Sequence, residues 1–279
     1  MRMSRTVKKA FARELVRDDD DINLAYAAML FATHLAEPFD PAIYLRRLDE
    51  MTEAVRSPVL TAETDLAAIE RLNRYLFEEL KFAGDADNYY HPHNSFLNKV
   101  LELRKGIPIS LSVIYLELGW RLGLPVWGGG LPGHFIVGFG HTNEPIYIDV
   151  FNEGRILSEE DCLALVQVST VHRAAFKEQF LKPASKKAIL LRMLLNLKNI
   201  YVRANNWATA YETVDLMLVI SPDVPTEIRD RGLLAYRLNH LHEAVFDLER
   251  YLFLKPGSTD AEVIKGHLGV LEEKLMRLN

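Results

Sequence analysis

The stretch from Gly106 to Asp149 reads GIPISLSVIYLELGWRLGLPVWGGGLPGHFIVGFGHTNEPIYID, and the rest of the chain is organised around it. Pro108 is suited to the first turn of a helix, where a missing N–H group costs nothing. Gly123 and Pro125 supply the signals that end such a helix. Between them, apolar side chains recur three and four residues apart, which predicts one buried helix face: Leu111, Ile114, Tyr115, Leu118 and Leu122.

Two strands are predicted after this helix, and the glycines at 128–130 are predicted to form the turn that precedes them. Apolar residues alternate with others in both strands: Phe135, Val137 and Phe139, then Ile146, Ile148 and Val150. A four-residue loop over residues 140–143 would join them as a β-hairpin. With that loop, Phe139 faces Glu144 and His134 faces Asp149. Directly opposed residues share one face of a sheet, so the imidazole and the carboxylate are predicted to be neighbours.

A helix start, then a histidine, then an aspartate is the order of a papain-like or transglutaminase-like triad. The chain resembles the transglutaminase-like superfamily and, more narrowly, the SirB family of bacterial proteins. In that family, tetratricopeptide repeats follow a transglutaminase-like domain. The resemblance continues to both ends of the chain and implies the fold, but not by itself the activity. Five motifs carry it: residues 94–98 (NSFLN), 104–111 (RKGIPISL), 123–125 (GLP), 132–135 (PGHF) and 148–149 (ID).

The cysteine that active transglutaminases carry at the helix start is missing. Its expected position is Pro108 or, with a small shift, Ser110. A helix dipole can help to ionise a thiol but not a hydroxyl, so a nucleophilic Ser110 would need His134 as its base and Asp149 to orient that base. The alternative is that Ser110 or Ser112 caps the first turn. The histidine–aspartate pair could likewise be a structural pair that fixes the sheet.

A ligand-binding cleft is predicted around His134. The preceding Pro-Gly dipeptide indicates a backbone that approaches another group closely, and the polar loop over residues 84–94 brings tyrosines and histidines. The predicted cleft residues are Asn94, Ser112, Gly133 and Tyr90. His91 and His93 could chelate a metal ion only with a third ligand, and an ordinary surface loop is the alternative. No metal and no cofactor is predicted.

The composition is that of a globular protein without internal disulfides. Of the 279 residues, 49% are hydrophobic and 25% are charged. The net charge of −5 argues against a general nucleic-acid or membrane-surface binder, and neither a signal core nor a run of about 20 apolar residues is found. Cys162 is the single cysteine, which fits a reducing cytoplasm. It lies just after a capping signal at Ser158 and is predicted to be a small buried hydrophobe.

Both ends of the chain are predicted to be helical. In residues 1–83, the acidic run at 18–21 is predicted to cap the helix that follows it, with a cation site as the alternative, and Pro41 and Thr64 to begin later helices. Residues 182–187 are predicted to be a linker. Beyond it, three residues recur after 34 positions: Asn205, Ala210 and Pro222 return as Asn239, Ala244 and Pro256. This period is typical of tetratricopeptide repeats.

These features predict an α+β protein with two domains. Residues 1–183 are predicted to form a transglutaminase-like domain with a helical lead, and residues 184–279 a tetratricopeptide-like helical array. The predicted function is a non-catalytic or regulatory module that binds a protein or peptide through the cleft or the repeats. The alternative is an acyl-transfer enzyme or hydrolase that uses Ser110, His134 and Asp149, with a backbone amide at the helix start stabilising the oxyanion. Neither nucleic acid nor a membrane is a predicted partner.

Overall fold

The structure is a computed structural model, and it describes residues 2–140, 144–169 and 178–277. The chain divides into two compact units, residues 1–193 and 194–279. Helices dominate both units, and the strands of the described residues all lie in the first. The predicted α+β class is confirmed. The predicted domain boundary between residues 183 and 184 stays a prediction.

The first unit begins with a series of helices, and capping residues precede all of them except the first. They are α1 Arg2–Leu15, α2 Leu24–Leu35, α3 Pro41–Leu60 and α4 Asp65–Asn73. Asn23, Asp40 and Thr64 cap the last three, and each side chain accepts a backbone N–H from the first turn. A π-helical turn, Arg74–Glu79, continues α4, and α5 spans Leu97–Leu103.

The acidic run caps a different helix from the predicted one. Asp19–Asp21 form a short 3-10 helix, and α2 takes its cap from Asn23. The Asp19 carboxylate accepts the backbone N–H groups of Lys186 and Lys187, at 2.7 and 3.0 Å. The prediction that this run caps the following helix is therefore wrong, because its carboxylate reaches a helix start more than 160 residues along the chain.

The central helix α6 spans Pro108–Leu122, as predicted. Nearly all of its side chains are buried, so it is the core element of the first unit rather than a surface helix with one apolar face. Gly123 ends it with φ +75°, a left-handed conformation that favours glycine. The backbone at the N-terminus of α6 is consequently fixed by packing on all sides.

Two sheets accompany α6. The strands β1 Ala83–Gly84 and β2 Lys105–Gly106 form a short parallel pair. Among the described residues, a four-stranded antiparallel sheet follows in the order β3 Val126–Gly129, β4 Ile136–Phe139, β5 Ile146–Asp149 and β6 Arg155–Leu157. Strands β3 and β4 pack against α6.

The predicted hairpin register is wrong by two residues. The structure pairs Val137 with Ile148 and Phe139 with Ile146, so the connection between the strands is longer than four residues. Residues 141–143 of the predicted loop lie outside the described residues. A shift of two residues keeps every side chain on its face of the sheet, whereas a shift of one would invert the faces. The prediction that His134 and Asp149 share a face therefore survives the wrong register.

The predicted glycine turn is also wrong, because Gly128 and Gly129 belong to β3. A Cβ atom added to Gly128 would lie 2.7 Å from the Phe135 ring, so glycine is needed there to let an aromatic ring cover the strand. The other edge of β3 holds the predicted linker: Gly129 forms a β-bridge with Pro183, and the Ala184 N–H donates to the Gly128 carbonyl at 2.8 Å. That segment is attached to the first unit.

Helix α7, Glu159–Ser169, starts at the predicted capping signal. Ser158 Oγ accepts the Asp161 N–H at 3.1 Å, and Asp161 accepts the Ser158 N–H at 3.0 Å. Cys162 is fully buried one residue later, in an apolar cluster with Leu131, Ile136, Tyr147, Leu157 and Val166. The prediction that it is a buried hydrophobe is confirmed.

The C-terminal part consists of α8 Lys186–Arg203, α9 Trp207–Ile220, α10 Pro225–Arg237, α11 Leu241–Leu254 and α12 Ala261–Met276. Helices α9 and α11 begin and end 34 residues apart, which matches the sequence repeat. Ala210 and Ala244 are both fully buried. Asn205 and Asn239 have φ of +54° and +61°, a left-handed conformation that asparagine tolerates better than most residues. Within the described residues, no helix is long and apolar enough to cross a membrane.

Candidate functional site

The centre of the candidate site is a buried histidine–aspartate pair. Nε2 of His134 lies 2.9 Å from Oδ1 of Asp149, so the predicted neighbourhood of these two residues is confirmed. Asp149 is 1% exposed and His134 is 9% exposed, which leaves only the imidazole at the edge of the core. Strand β5 carries the aspartate, and the histidine lies two residues before β4.

The Asp149 carboxylate is held by more than the imidazole. Oδ1 also accepts the backbone N–H groups of Phe151 and Asn152, and Oδ2 accepts the Asn152 side-chain amide at 2.7 Å. Burial raises the pKa of Asp149, but hydrogen bonds from His134 and Asn152 outweigh it, so this pKa lies below its ordinary value. An ionised carboxylate can only accept, so Nε2 of His134 carries the proton. In the neutral ring, Nδ1 is then the free base.

The backbone before His134 is a tight turn. The His134 N–H donates to the Leu131 carbonyl at 3.1 Å, and Gly133 has φ +78°, which only glycine adopts easily. On the other side, the Phe151 ring meets the imidazole edge-on, with 6.2 Å between centroids. These contacts fix the ring orientation, so the imidazole is preorganised whether or not it takes part in chemistry.

Ser110 is at the predicted helix start but is not joined to the histidine. Its Oγ donates to the Asn94 carbonyl at 2.6 Å and accepts the Ile107 N–H at 3.1 Å. The side chain is fully buried, and none of the hydrogen bonds in the described residues links it to His134. Ser110 therefore stabilises the first turn of α6, which is the capping role predicted as the alternative. Pro108, the other expected cysteine position, is the first residue of α6.

The four predicted cleft residues differ in accessibility. Asn94 and Ser112 are 3% and 0% exposed, and the Asn94 amide donates to Asp85 and to the Asn88 carbonyl. Their burial does not support a ligand-binding role. Gly133 and Tyr90 are exposed, so ligand contact at these two positions stays a prediction. Asn94 and Ser112 are buried by the packing around α5 and α6. The sequence alone does not show which of the four residues this packing buries.

The histidines of the polar loop contact each other, and the cysteine is enclosed by apolar side chains. Nδ1 of His91 accepts the His93 N–H at 3.3 Å, so one of its two possible ligand atoms is engaged locally. Across the described part of the chain, no group of three His, Cys, Asp or Glu residues is arranged to hold a metal ion. Burial, helped by the nearby carboxylates of Asp161 and Asp149, raises the pKa of Cys162 to about 12.

Two residues beside the pair were not predicted from the sequence as ligand-binding residues. Arg192, in the first unit's part of α8, is partly buried, and its Nη2 atom lies 3.4 Å from the Leu131 carbonyl oxygen. Tyr89 stacks edge-on against Phe151, with 6.2 Å between ring centroids. A signal for Arg192 did exist, because it interrupts the apolar run AILLRMLLNL over residues 188–197.

Comparisons with known proteins agree with this architecture. Residues 42–195 match the family model of the transglutaminase-like superfamily, and residues 197–269 match that of the tetratricopeptide repeat. A UPF0162 protein of Xylella fastidiosa (strain 9a5c) is 37% identical over 254 residues, which cover 90% of each chain. A UPF0162 protein of Vibrio cholerae is 34% identical over 206 residues, or 74% of this chain and 76% of the relative. F-box only protein 21 of Pongo abelii is 28% identical over 217 residues, or 74% of this chain and 34% of that protein.

Proposed function

The chain belongs to the UPF0162 family, with a transglutaminase-like domain followed by tetratricopeptide repeats, and we propose that it is a non-catalytic module that binds a peptide or protein. The observation that carries the proposal is an intact His134–Asp149 pair to which, among the described residues, no Ser or Cys side chain is hydrogen-bonded. Transglutaminase chemistry needs a thiolate at the helix start. This chain has Pro108 and a buried Ser110 there.

The only thiol does not compensate for that loss. Cys162 is fully buried among apolar side chains, and its raised pKa keeps the thiol protonated at neutral pH. Since only the thiolate is a good nucleophile, thiol chemistry is not expected from this residue. Its burial and lack of a disulfide partner are compatible with a cytoplasmic location, which is part of the proposal.

Binding is favoured by features of both units. In the first unit, His134, Phe151 and Tyr89 form a connected set of rings at the edge of the core, a composition common in ligand sites. In the second, the repeats belong to a class that generally mediates protein interactions, and Phe246 and Phe253 are 63% and 84% exposed on α11. Seven residues is about two helical turns, so these two rings lie on the same face.

A serine enzyme is the competing function. The observation in its favour is that Nδ1 of His134 is free to act as a base while Nε2 is bonded to Asp149. Against it, the Ser110 hydroxyl proton is directed to the Asn94 carbonyl, which is not a base, and the side chain has no exposed surface for a substrate to reach. The serine would have to break two hydrogen bonds and leave the core before it could attack.

Activity assays distinguish the two functions. The purified protein is assayed for amine incorporation into a glutamine peptide, for hydrolysis of an activated ester, and for labelling by iodoacetamide in its folded state. We expect no turnover and only slow labelling, with fast labelling of Cys162 after unfolding in urea. Ester turnover that Ser110→Ala abolishes would establish the serine enzyme instead. Amine incorporation that Cys162→Ala abolishes would show that the buried thiol is catalytic.

Binding is tested with a random-sequence peptide library passed over the immobilised full-length protein. Retained peptides are resynthesised and measured against wild type, His134→Ala and the double variant Phe246→Ser/Phe253→Ser. Loss of affinity in the first variant assigns the peptides to the cleft, and loss in the second assigns them to the repeats. His242→Ala, at an exposed histidine of α11, is the control for a general effect of histidine removal. Failure of wild type to retain any peptide would contradict the proposed function.

A further inference from the structure

Arg192 carries a partly buried guanidinium in the first unit's part of α8. Its Nη2 atom donates to the Leu131 carbonyl, and within the described residues no carboxylate lies close enough to form an ion pair with it. Two other partly buried arginines form ion pairs, Arg121 with Glu117 and Asp49 and Arg231 with Asp215 and Asp247. Arg71 donates instead to the Pro58 carbonyl and the Thr61 hydroxyl. Burying a charge without a partner is unfavourable. In agreement, burial lowers the pKa of Arg192, against a smaller raising effect of the Tyr89 phenol.

This charge lies beside the histidine–aspartate pair. The Leu131 carbonyl that accepts from Arg192 also accepts the His134 N–H, at 3.4 and 3.1 Å respectively. One acceptor therefore holds the guanidinium and the turn that carries the imidazole. Retention of a costly unpaired group at such a place is a recurrent feature of binding sites.

Tyr89 adds a second donor to the same place. Its ring contacts Phe151, whose ring in turn contacts the His134 imidazole. Burial raises the pKa of the phenol, and the Arg192 charge opposes that rise. The Tyr89 hydroxyl makes no hydrogen bond with any described residue, although its ring is fixed between Tyr90 and Phe151. Phe151 in turn packs on Gly84, where an added Cβ would lie 2.6 Å from the ring. The phenol is thus available on a rigid aromatic support, and the guanidinium is anchored separately by the Leu131 carbonyl.

We propose that Arg192 and Tyr89 bind a carboxylate group of a peptide ligand next to His134. The inference rests on the proposed function and names the ligand chemistry of its cleft. A planar guanidinium matches a carboxylate by two parallel hydrogen bonds, and the phenol can supply a third. The single positive charge suits a monoanion.

The test uses the peptides that wild type retains from the random library. Each peptide is made in three forms: unchanged, with a carboxamide at its C-terminus, and with Asp and Glu replaced by Asn and Gln. Affinities are measured by fluorescence anisotropy for wild type, Arg192→Gln, Arg192→Lys and Arg56→Gln. Arg56 is a half-exposed arginine of α3 that already pairs with Glu53, so it is the matched control. The first modified peptide form tests a terminal carboxylate, and the second tests side-chain carboxylates.

We expect Arg192→Gln to weaken binding roughly tenfold or more, and one of the two modified peptide forms to weaken it equally. The modified form should then bind wild type and Arg192→Gln alike, because each change removes the same contact. Arg192→Lys should recover part of the affinity, and Arg56→Gln should change nothing. Unaltered affinity for both modified forms, or for Arg192→Gln, would overturn the inference and leave the peptide-binding function standing. Absence of any retained peptide would instead remove the proposed function on which it rests.

A measurement without ligand tests the same idea. Replacing an unpaired buried charge by an apolar side chain of similar length removes a desolvation penalty, so Arg192→Met should melt at the same or a higher temperature than wild type. If Arg192→Met is as stable as wild type but has lost affinity for the peptides, the guanidinium serves binding. A variant that melts lower and keeps full peptide affinity would mean that Arg192 serves the fold, and the inference would be wrong.

Discussion

Ser110 and Ser112 are two fully buried serines of α6 with opposite surroundings. Ser110 Oγ satisfies the Ile107 N–H and the Asn94 carbonyl, whereas Ser112 Oγ has no hydrogen-bond partner in the described residues. A buried hydroxyl stabilises a fold only when it is bonded, and an unbonded one is a cost. The two positions therefore measure the structural role of Ser110 separately from any general effect of removing a buried serine.

We expect Ser110→Ala to lower the free energy of unfolding by about 1–3 kcal/mol, because it leaves buried backbone groups with weaker partners. Ser112→Ala should be neutral or stabilising, since it removes only an unsatisfied oxygen. Urea denaturation at neutral pH measures both, as a shift in the midpoint with an unchanged slope. Equal losses in the two variants would show that the hydrogen bonds of Ser110 are not what matters at this helix start.

The Asp149 carboxylate gives the pair a defined pH dependence. Its pKa is lower in the folded chain than in the unfolded one, where it is about 3.9. The group therefore stabilises the fold fully above that ordinary value, and the contribution is lost as the pH falls through the folded pKa. Asp149→Asn should be less stable than wild type at neutral pH, and the difference should shrink on acidification from about pH 5 downward.

The measurement is urea denaturation of both proteins over that pH range, with Asp87→Asn, at an exposed carboxylate, as the control. A constant difference between wild type and Asp149→Asn would mean that the carboxylate stabilises the fold by its shape rather than by its charge.

The two central residues of the candidate site could be predicted from the sequence, whereas the residues around them could not. His134 and Asp149 were predictable as neighbours, because local alternation along two strands assigns them to one face. The burial of Asn94 and Ser112 was not, because it depends on how α5 and α6 pack in three dimensions. Arg192 approaches the pair from the far end of the first unit, and no local pattern specifies such a contact.

At the scale of elements, Asp19 shows how a cap can come from a distant part of the chain. Its carboxylate accepts the first two N–H groups of α8, and Lys186 Nζ donates back to the Asp20 and Ile22 carbonyls at 2.7 and 2.8 Å. A negative charge at a helix N-terminus is also favoured by the helix dipole. These hydrogen bonds connect residues 19–22 with the start of α8, both within the first unit.

We expect Asp19→Ala to destabilise the protein by about 1–2 kcal/mol, the usual cost of losing a capping carboxylate. Asp19→Asn should lose less, because an amide oxygen can still accept. Asp18→Ala is the control, since that neighbouring side chain caps nothing. Thermal unfolding at low and high salt checks the assignment, and equal effects at positions 18 and 19 would count against the cap.

The helices and strands were predictable to different degrees. Helix α6 and the capped helices of the lead follow from local spacing and capping residues, which a sequence displays directly. Strand β3 was not recognised, because glycines usually indicate turns, and the need for glycine under the Phe135 ring arises only after the chain has folded. The prediction of the hairpin register was wrong for a related reason. The register depends on the loop length, which the alternation of apolar residues does not determine.

The whole chain divides into two compact units, and the predicted order of a transglutaminase-like domain and tetratricopeptide repeats is confirmed. The repeat could be recognised in the sequence because two kinds of position recur with the same period. One is a residue in a left-handed backbone conformation, and the other is a small buried side chain. Asn205 and Asn239 occupy the same left-handed position ahead of α9 and α11, so the asparagine recurs with the turn. The tryptophans are divided between the units: Trp120 and Trp127 lie in the first, and Trp207 lies in the second.

This division allows the stability of each unit to be read separately. Alanine in a left-handed conformation costs roughly 1–2 kcal/mol, whereas glycine adopts it freely. Asn239→Ala should therefore lower the transition reported by Trp207 in a Trp120→Phe/Trp127→Phe background, and Asn239→Gly should leave it unchanged or raise it. In a Trp207→Phe background, the transition reported by the other two tryptophans should not move. A shift of both transitions by the same amount would show that the two units unfold as one cooperative structure, and the stabilities of the cleft and of the repeats could then not be tuned independently.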